Sequence, residues 1–105
     1  MYIYIMDIVE INKVLSNEVR LNILTWLKDP KNNFPEHKDL GHFNDGVCVQ
    51  YIGDKAGLSQ STISHYLSMM QRAGLIIPTR HGKWTYYKRD EKQIKNYLKL
   101  LKSSL

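Results

Sequence analysis

Residues 57–67 read Gly-Leu-Ser-Gln-Ser-Thr-Ile-Ser-His-Tyr-Leu, and this stretch decides the predicted fold. Its opening glycine permits the positive φ of a tight turn, and Ser59 is a natural N-cap for a helix that begins directly after it. Farther along, Ile63, Leu67 and Met70 recur at the spacing of one buried helical face. The sequence therefore predicts a turn followed by a helix with one apolar side.

The segments on either side of this helix predict its two structural neighbours. Residues 48–56 are expected to form the supporting helix, and the helical pattern already includes Val47. Gly74 stands where the second helix should end. The residues after it predict a β-hairpin with a turn over 80–83 and an aromatic, β-prone strand from Trp84 onward. A helix-turn-helix followed by such a hairpin, or wing, is a winged helix-turn-helix.

Helices are also predicted toward both ends of the chain. Residues 5–15 keep roughly helical apolar spacing. Ser16 or Asn17 can cap a second helix, whose wide apolar face predicts extensive burial and which ends before Pro30. Asp90 can cap a last helix. The predicted fold is mainly α with a small β-hairpin wing, in a single domain of residues 1–105 that comprises terminal helices (1–15 and 90–105), a helix-turn-helix (48–73) and a wing (75–88).

Residues 29–46 are predicted to be a loop, because proline, glycine and asparagine recur through the segment. A loop of this length is unusual in a small domain. The segment is therefore expected to be functional, to be mobile or to contain a short helical turn, and the sequence leaves these three options open.

The distribution of charge favours a polyanionic partner. The chain has 105 residues and a formal net charge of +5. Residues 59–89 contain five lysine and arginine residues and no carboxylate, whereas residues 1–58 contain more acids than bases. A surface without carboxylates suits phosphate groups. The alternative is a basic face that is only solvated.

Other features of the composition bear on the compartment. The chain has no apolar run of ~18 residues, so no membrane span is expected, and its N-terminus lacks the basic region of a secretory signal. The single cysteine, Cys48, excludes an internal disulfide and a zinc site made of cysteines alone. A cytoplasmic location is expected.

The exposed face of the helix after Ser59 carries short polar side chains that can contact base edges and phosphates without electrostatic repulsion. Gln60 can pair with adenine through two hydrogen bonds, and His65 is the longest side chain of the set. The alternative is a capped amphipathic helix with a solvated face. The residues predicted to contact DNA from this helix are Gln60, Ser61, Thr62, Ser64 and His65, with Ser68 on the same face.

The predicted hairpin supplies a second set of contacts. Arg80, His81 and Lys83 surround its tip and are predicted to contact a phosphate backbone or a minor groove. The aromatic residues of the second strand could stack on the bases of a single strand. We favour the alternative interpretation, in which they pack the hairpin onto the helices.

Taken together, these motifs resemble the ArsR-type winged helix-turn-helix repressors. The resemblance rests on residues 57–67, 73–75 and 80–87, with residues 17–24 resembling the second helix of that family. It covers about residues 8–100. It implies a homodimeric bacterial or archaeal repressor that binds a palindromic operator in double-stranded DNA and is released by an effector. The family dimer is made by the first and last helices.

The family resemblance is weakest at the effector sites. Many relatives bind metals through a Cys-Val-Cys motif, but Cys48, Val49 and Gln50 occupy those positions here, and a neutral amide is a poor ligand for soft metals. The family's alternative site uses aspartate and histidine on the last helix, which has Asp90 and Glu91 but no histidine. Neither site is intact, so no metal or other cofactor is expected.

Two other sensing chemistries are conceivable. A zinc site could be built near Cys48 from loop residues, although we favour ordinary polar roles for them. Cys48 could also sense oxidants through a sulfenic acid or a disulfide across the dimer, although a packing role is favoured. The loop residues in question are Glu36, His37, Asp39 and His42.

Two other classes of function compete with duplex DNA binding. A winged helix can instead bind a protein or RNA, but the short polar face shows few of the aromatic and arginine residues that protein interfaces use. An enzyme is not expected, because the sequence contains no nucleophile triad spacing, phosphate-binding glycine loop or zinc signature.

Overall fold

The computed structural model describes the backbone of residues 2–105 and the side chains from Ile8 onward. The predicted order of helices and hairpin is confirmed, with two additional short elements, α3 and β1. The elements are α1 (Tyr2–Leu15), α2 (Glu18–Lys28), α3 (Pro30–Asn33), β1 (Val47–Cys48), α4 (Val49–Ala56), α5 (Gln60–Arg72), β2 (Ile76–His81), β3 (Trp84–Arg89) and α6 (Glu91–Ser104).

The helix-turn-helix forms through the local signals that predicted it. Gly57 has φ +70° at the end of α4. The Ser59 hydroxyl accepts a hydrogen bond from the Thr62 amide at 3.3 Å and caps α5. The apolar side of α5 is buried as predicted, with Ile63 and Leu67 at most 1% exposed. This side packs into a core shared with α1, α2, α4, α6 and the base of the hairpin.

The C-terminal end of α5 sets the direction of the wing. Gly74 has φ +81°, and its amide donates to the Gln71 carbonyl at 3.0 Å. The Leu75 amide donates to the Met70 carbonyl, also at 3.0 Å. These two bonds form a Schellman motif, which turns the chain out of the helix and into β2.

The supporting helix begins later than the sequence predicts. Val47 and Cys48, which the helical prediction included, form strand β1 instead. Their partners on β3 are Tyr87 and Tyr86, so the sheet has the order β1-β3-β2. The free edge of β3 offers hydrogen bonds to an extended chain, and this tertiary pairing overrides a local helical pattern. The helix α4 therefore starts at Val49.

The wing spans residues 76–89, one residue later than the predicted 75–88, and its turn is tighter than predicted. The strands extend through Arg89, and Arg80 and His81 belong to β2 instead of the turn. The loop consists only of Gly82 and Lys83, with φ +60° at the glycine. A two-residue loop that begins with glycine follows the twist of the strands, and this keeps the ladder intact to its last pair.

The helices near both termini are capped as expected. Asn17 is the residue that caps α2, accepting the Arg20 amide at 3.0 Å, and Asp90 caps α6. Within α2, Leu21 is half-exposed, so burial is less complete than its apolar face predicts. The side chain of Ile5 lies outside the described residues. Among the helices of residues 2–105, none is long and apolar enough to cross a membrane.

Candidate nucleic-acid interface

The polar side of α5 faces solvent and carries no carboxylate. Gln60, Ser61, Ser64 and His65 are exposed, whereas Thr62 is partly buried. Gln60 donates from Nε2 to the Ser64 hydroxyl at 3.1 Å. This bond orients the amide along the helix and leaves its carbonyl oxygen free to accept. The side chains predicted to contact bases therefore share one surface.

The two faces of the hairpin have different neighbours. Directly paired residues of an antiparallel hairpin point to the same face, and the face alternates along each strand. Arg80 and Thr85 form one such pair. His81, Trp84 and Tyr86 point to the opposite face, where they contact the segment that precedes β1.

A groove lies between the start of α5 and the wing. Its cavity volume is about 280 Å³. The groove brings Gln60 of α5 together with two of the predicted wing cations, Arg80 and Lys83. Gln50 and Thr85 also line it, but they were not predicted as DNA-contacting residues because their spacing gave no signal. The lining residues are Val49, Gln50, Gln60, Arg80, Lys83, Trp84 and Thr85.

The two cations at the groove are exposed but held in different ways. The Arg80 Nε donates to the Gly82 carbonyl at 2.8 Å, which ties the guanidinium to the turn. The Lys83 ammonium lies 5.1 Å from the centroid of the Trp84 ring, a weak cation–π contact at an exposed site. Lys83 is therefore the more freely moving charge at the tip.

His81, the third predicted wing residue, is directed elsewhere. Its Nε2 lies 2.6 Å from a carboxylate oxygen of Asp45, and its ring is 5.5 Å from that of Tyr86. The side chain is thus engaged by the segment before β1, and its predicted DNA contact stays a prediction.

Tyr87 packs the hairpin onto a helix, as the favoured interpretation held, whereas Trp84 packs it onto the segment that precedes β1. Tyr86 is 1% exposed, and burial raises the pKa of its phenol. The Tyr87 hydroxyl donates to the side-chain Oε1 of Gln71 on α5 at 3.4 Å. The Trp84 indole nitrogen donates to Asp39 at 2.6 Å. The contact between Trp84 and Asp39 joins residues 45 positions apart, so the sequence gave no local signal for it.

Cys48 has the environment of a packing residue. Its side chain is 1% exposed in the three-stranded sheet, and burial raises the pKa of its thiol. A protonated, inaccessible thiol reacts slowly. Its role as a sensor stays a prediction.

The residues considered for a zinc site in the loop have separate partners. His37 is buried and its Nδ1 lies 3.1 Å from the Tyr86 hydroxyl, Asp39 accepts from Trp84, and His42 accepts the Asn44 amide. Among the side chains that the structure describes, from Ile8 onward, no group of three or more histidine, cysteine, aspartate or glutamate residues is arranged to hold a metal ion.

Comparison with known proteins gives concordant results. The family model described as "Bacterial regulatory protein, arsR family" matches residues 47–77, from β1 into β2. The chain is 48% identical over 100 residues to the uncharacterized HTH-type transcriptional regulator YbzH of Bacillus subtilis, covering 95% of this chain and 100% of that protein.

Two further similarities extend the comparison. The chain is 28% identical over 80 residues to the arsenical resistance operon repressor of Escherichia coli, covering 76% of this chain and 56% of that protein. Its fold is similar to the homodimeric winged helix-turn-helix DNA-binding domain Mb0332 of Mycobacterium bovis, with a TM-score of 0.67 and 22% identity over 95% of this chain and 79% of that one.

Proposed function

This chain belongs to the ArsR family of helix-turn-helix transcriptional regulators, and on that premise we propose that it represses transcription by placing α5 in the major groove and the wing on the flanking phosphate backbone. DNA-binding transcriptional regulation is the function of the chain. The observation that carries the proposed docking is the groove in which Gln60 meets Arg80 and Lys83. It joins the polar face of α5 to the cations of the wing.

The dimensions and chemistry of α5 suit a major groove. The helix has 13 residues and is therefore about 20 Å long. Its diameter with side chains is about 10–12 Å, which fits the major groove of B-DNA at about 12 Å wide. Its exposed side chains are hydrogen-bonding groups without negative charge. Gln60 and His65 are proposed to read base edges, and the serine hydroxyls of the first turns to contact phosphates or bases.

The wing supplies positive charges whose contacts with phosphate do not depend on the base sequence. Arg80 and Lys83 lie on the hairpin beside the first turn of α5. Cations at this position neutralise phosphates and release counterions, which strengthens binding to every duplex. We therefore assign affinity to the wing and specificity to α5.

A homodimer built from α1 and α6 is proposed to bind a palindromic operator. Val9 on α1 and Leu98 on α6 are 52% and 57% exposed, and apolar side chains exposed on the two adjacent helices would be covered in a dimer. The structurally similar Mycobacterium bovis domain is homodimeric. A two-fold dimer reads two half-sites about 34 Å apart.

We propose that an effector releases the repressor, and that DNA binding itself needs no metal. The Escherichia coli relative is a repressor. The resemblance puts Gln50 where a second thiolate would be, and this supports an effector of another kind. The relatives are transcriptional regulators, which supports a non-catalytic role. We propose a cytoplasmic location. Chelation with EDTA should leave the affinity for DNA unchanged.

The test is fluorescence anisotropy with a labelled duplex from upstream of the gene, beside a scrambled duplex, at two salt concentrations. We expect tight, salt-sensitive binding to the native duplex and weaker binding to the scrambled one. Gln60→Ala or His65→Ala should each cost about 1–3 kcal/mol on the native duplex and reduce the discrimination. The control Asn22→Ala removes an exposed amide side chain of α2 and should change neither.

Equal binding of the parent protein to both duplexes calls for selection from random DNA. If that selection yields no preferred sequence, the proposed base readout is wrong. If the protein binds no duplex but captures a stoichiometric protein or RNA, the winged helix is an interaction module and the proposed docking is refuted.

A further inference from the structure

The segment of residues 34–46, here called the wing strap, runs from the helical core to the outer edge of the wing. It begins at Phe34, which is 6% exposed and packs edge-on against Trp26 of α2. It ends at Gly46, directly before β1. Both ends of the strap are therefore fixed to the fold, one on the helices and one on the sheet.

Three side chains of the strap contact three residues on one face of the hairpin, which belong to two of its ladder pairs. His37 is 4% exposed, and its Nδ1 lies 3.1 Å from the Tyr86 hydroxyl. Asp39 accepts the indole N–H of Trp84 at 2.6 Å. Asp45 lies 2.6 Å from Nε2 of His81. The contacts thus follow the hairpin from its buried part to its last ladder pair.

The backbone of the strap also fits closely against β3. A Cβ atom added to Gly46 would lie 1.9 Å from the Tyr87 carbonyl oxygen. Only glycine allows the chain to approach β3 this closely, and the approach delivers Val47 and Cys48 to their pairing with β3. The strap is therefore continuous with the sheet that carries the wing.

The tip of the wing has little other support. The strand β1 pairs with Tyr86 and Tyr87, so residues 80–85 extend beyond the three-stranded part of the sheet. An isolated two-stranded hairpin is marginally stable in water. Asp39 and Asp45 contact this two-stranded tip, next to Arg80 and Lys83.

We propose that the wing strap fixes the position of the wing, so that Asp39 and Asp45 are positioning residues for DNA binding. The inference rests on the proposed docking of the wing on phosphate. The two effects of removing these residues have opposite signs, because both residues are acidic and contact the hairpin that carries the proposed phosphate contacts. Charge alone predicts that removing them strengthens binding, whereas positioning predicts that removing them weakens it.

The experiment compares Asp39→Ala and Asp45→Ala with the control Glu36→Ala. Glu36 is an exposed carboxylate of the same strap and has no side-chain hydrogen bond or ion pair among the residues described from Ile8 onward. Each variant is titrated with the native duplex by anisotropy. We expect about threefold to tenfold weaker binding for the two aspartate variants, from the loss of one charge-assisted hydrogen bond each, and unchanged or slightly tighter binding for Glu36→Ala.

The conservative variants Asp39→Asn and Asp45→Asn separate position from charge. Asparagine keeps an oxygen that can accept from Trp84 or His81 but removes the negative charge. We expect these variants to bind at least as tightly as the parent protein. If alanine and asparagine variants both bind more tightly, charge repulsion explains the aspartates and the inference is overturned.

Amide hydrogen exchange of the free protein provides a readout without DNA. The alanine variants should lose protection in residues 79–86 and keep it in α5 and α6. A general loss of protection would indicate unfolding, and the asparagine variants would then decide whether the aspartates position the wing. Unchanged exchange at the wing would refute the positioning role. If the parent protein binds no duplex, the proposed function fails, and exchange still decides whether the strap holds the wing.

Discussion

Replacing the wing cations should change the salt dependence of DNA binding more than its sequence preference. Lys83 is exposed in the two-residue turn, and its ammonium contacts only the face of Trp84 among the described residues. Lys83→Ala should therefore remove a phosphate contact and leave the fold intact. Arg80→Ala should also remove the bond from the guanidinium to the turn carbonyl, so its effect should be larger.

The size of the effect follows from the number of phosphates neutralised. Each contact adds about 0.9 to the slope of log K against log salt, so a dimer that loses one contact per wing should lose about 1.8. Between about 50 and 200 mM salt, the parent protein should then lose about tenfold more affinity than the variant does. The difference between parent and variant should consequently be largest at low salt.

The assay is anisotropy at four salt concentrations with the native and the scrambled duplex. Lys83→Ala should weaken both complexes by the same factor, because phosphate contacts carry no sequence information. Lys31→Ala provides the control, since Lys31 is exposed on α3 and lines no part of the groove. An unchanged salt slope in Lys83→Ala, or a loss confined to the native duplex, would refute the assignment of the wing to phosphate.

Three further predictions concern stability and reactivity. Ser59→Ala removes the N-cap of α5 and should lower the free energy of unfolding in urea by about 1 kcal/mol; an equal loss in Ser68→Ala, on the exposed face of the same helix, would contradict a capping role. Gly46→Ala should not yield folded protein, because the added Cβ would lie 1.9 Å from a carbonyl oxygen of β3. Gly41 also has a positive φ, of +68°, but open space surrounds it. Gly41→Ala should therefore lower the free energy of unfolding in thermal melts by only about 1 kcal/mol. Burial raises the pKa of the Cys48 thiol, so the folded protein holds the thiol proton more tightly than the unfolded chain does. The stability linked to this proton is complete below the pKa of the unfolded thiol and is lost as the pH rises through the pKa of the folded thiol. At neutral pH iodoacetamide should therefore modify the thiol only on unfolding, and rapid alkylation of the native protein, measured by mass spectrometry, would show that the thiol is accessible.

The helix-turn-helix could be predicted because its signals are local. The turn glycine, the Ser59 cap and the apolar repeat of α5 lie within a few residues of the contacts they make. The end of α5 is equally local, since both bonds of its Schellman motif join residues at most five positions apart. These signals act on the backbone of the same few residues, and they placed the candidate DNA-contacting face of α5 at the surface, apart from the partly buried Thr62.

The strand β1 and the strap could not be predicted because their causes are distant in sequence. Val47 pairs with Tyr87, and its apolar side chain fits a helical pattern as well as an extended one. His37 meets Tyr86 across 49 positions. The composition of residues 29–46 correctly indicated a mainly irregular segment, with a short helix at Pro30–Asn33, but no local pattern shows which strand an irregular segment will contact.

The distribution of charge along the sequence differs from its distribution in the folded structure. Residues 59–89 contain no carboxylate, yet folding brings Asp39 and Asp45 onto the hairpin. Both bind side chains on the face opposite to that of Arg80, which lines the groove beside α5. The hairpin therefore separates its charges, with a cation toward the proposed DNA groove and carboxylates toward the strap. Since carboxylates so close to a phosphate-binding surface lower its affinity for DNA, the contacts they make with the hairpin must offset that repulsion if the wing binds DNA, and this is why the alanine and asparagine variants are expected to change affinity in opposite directions.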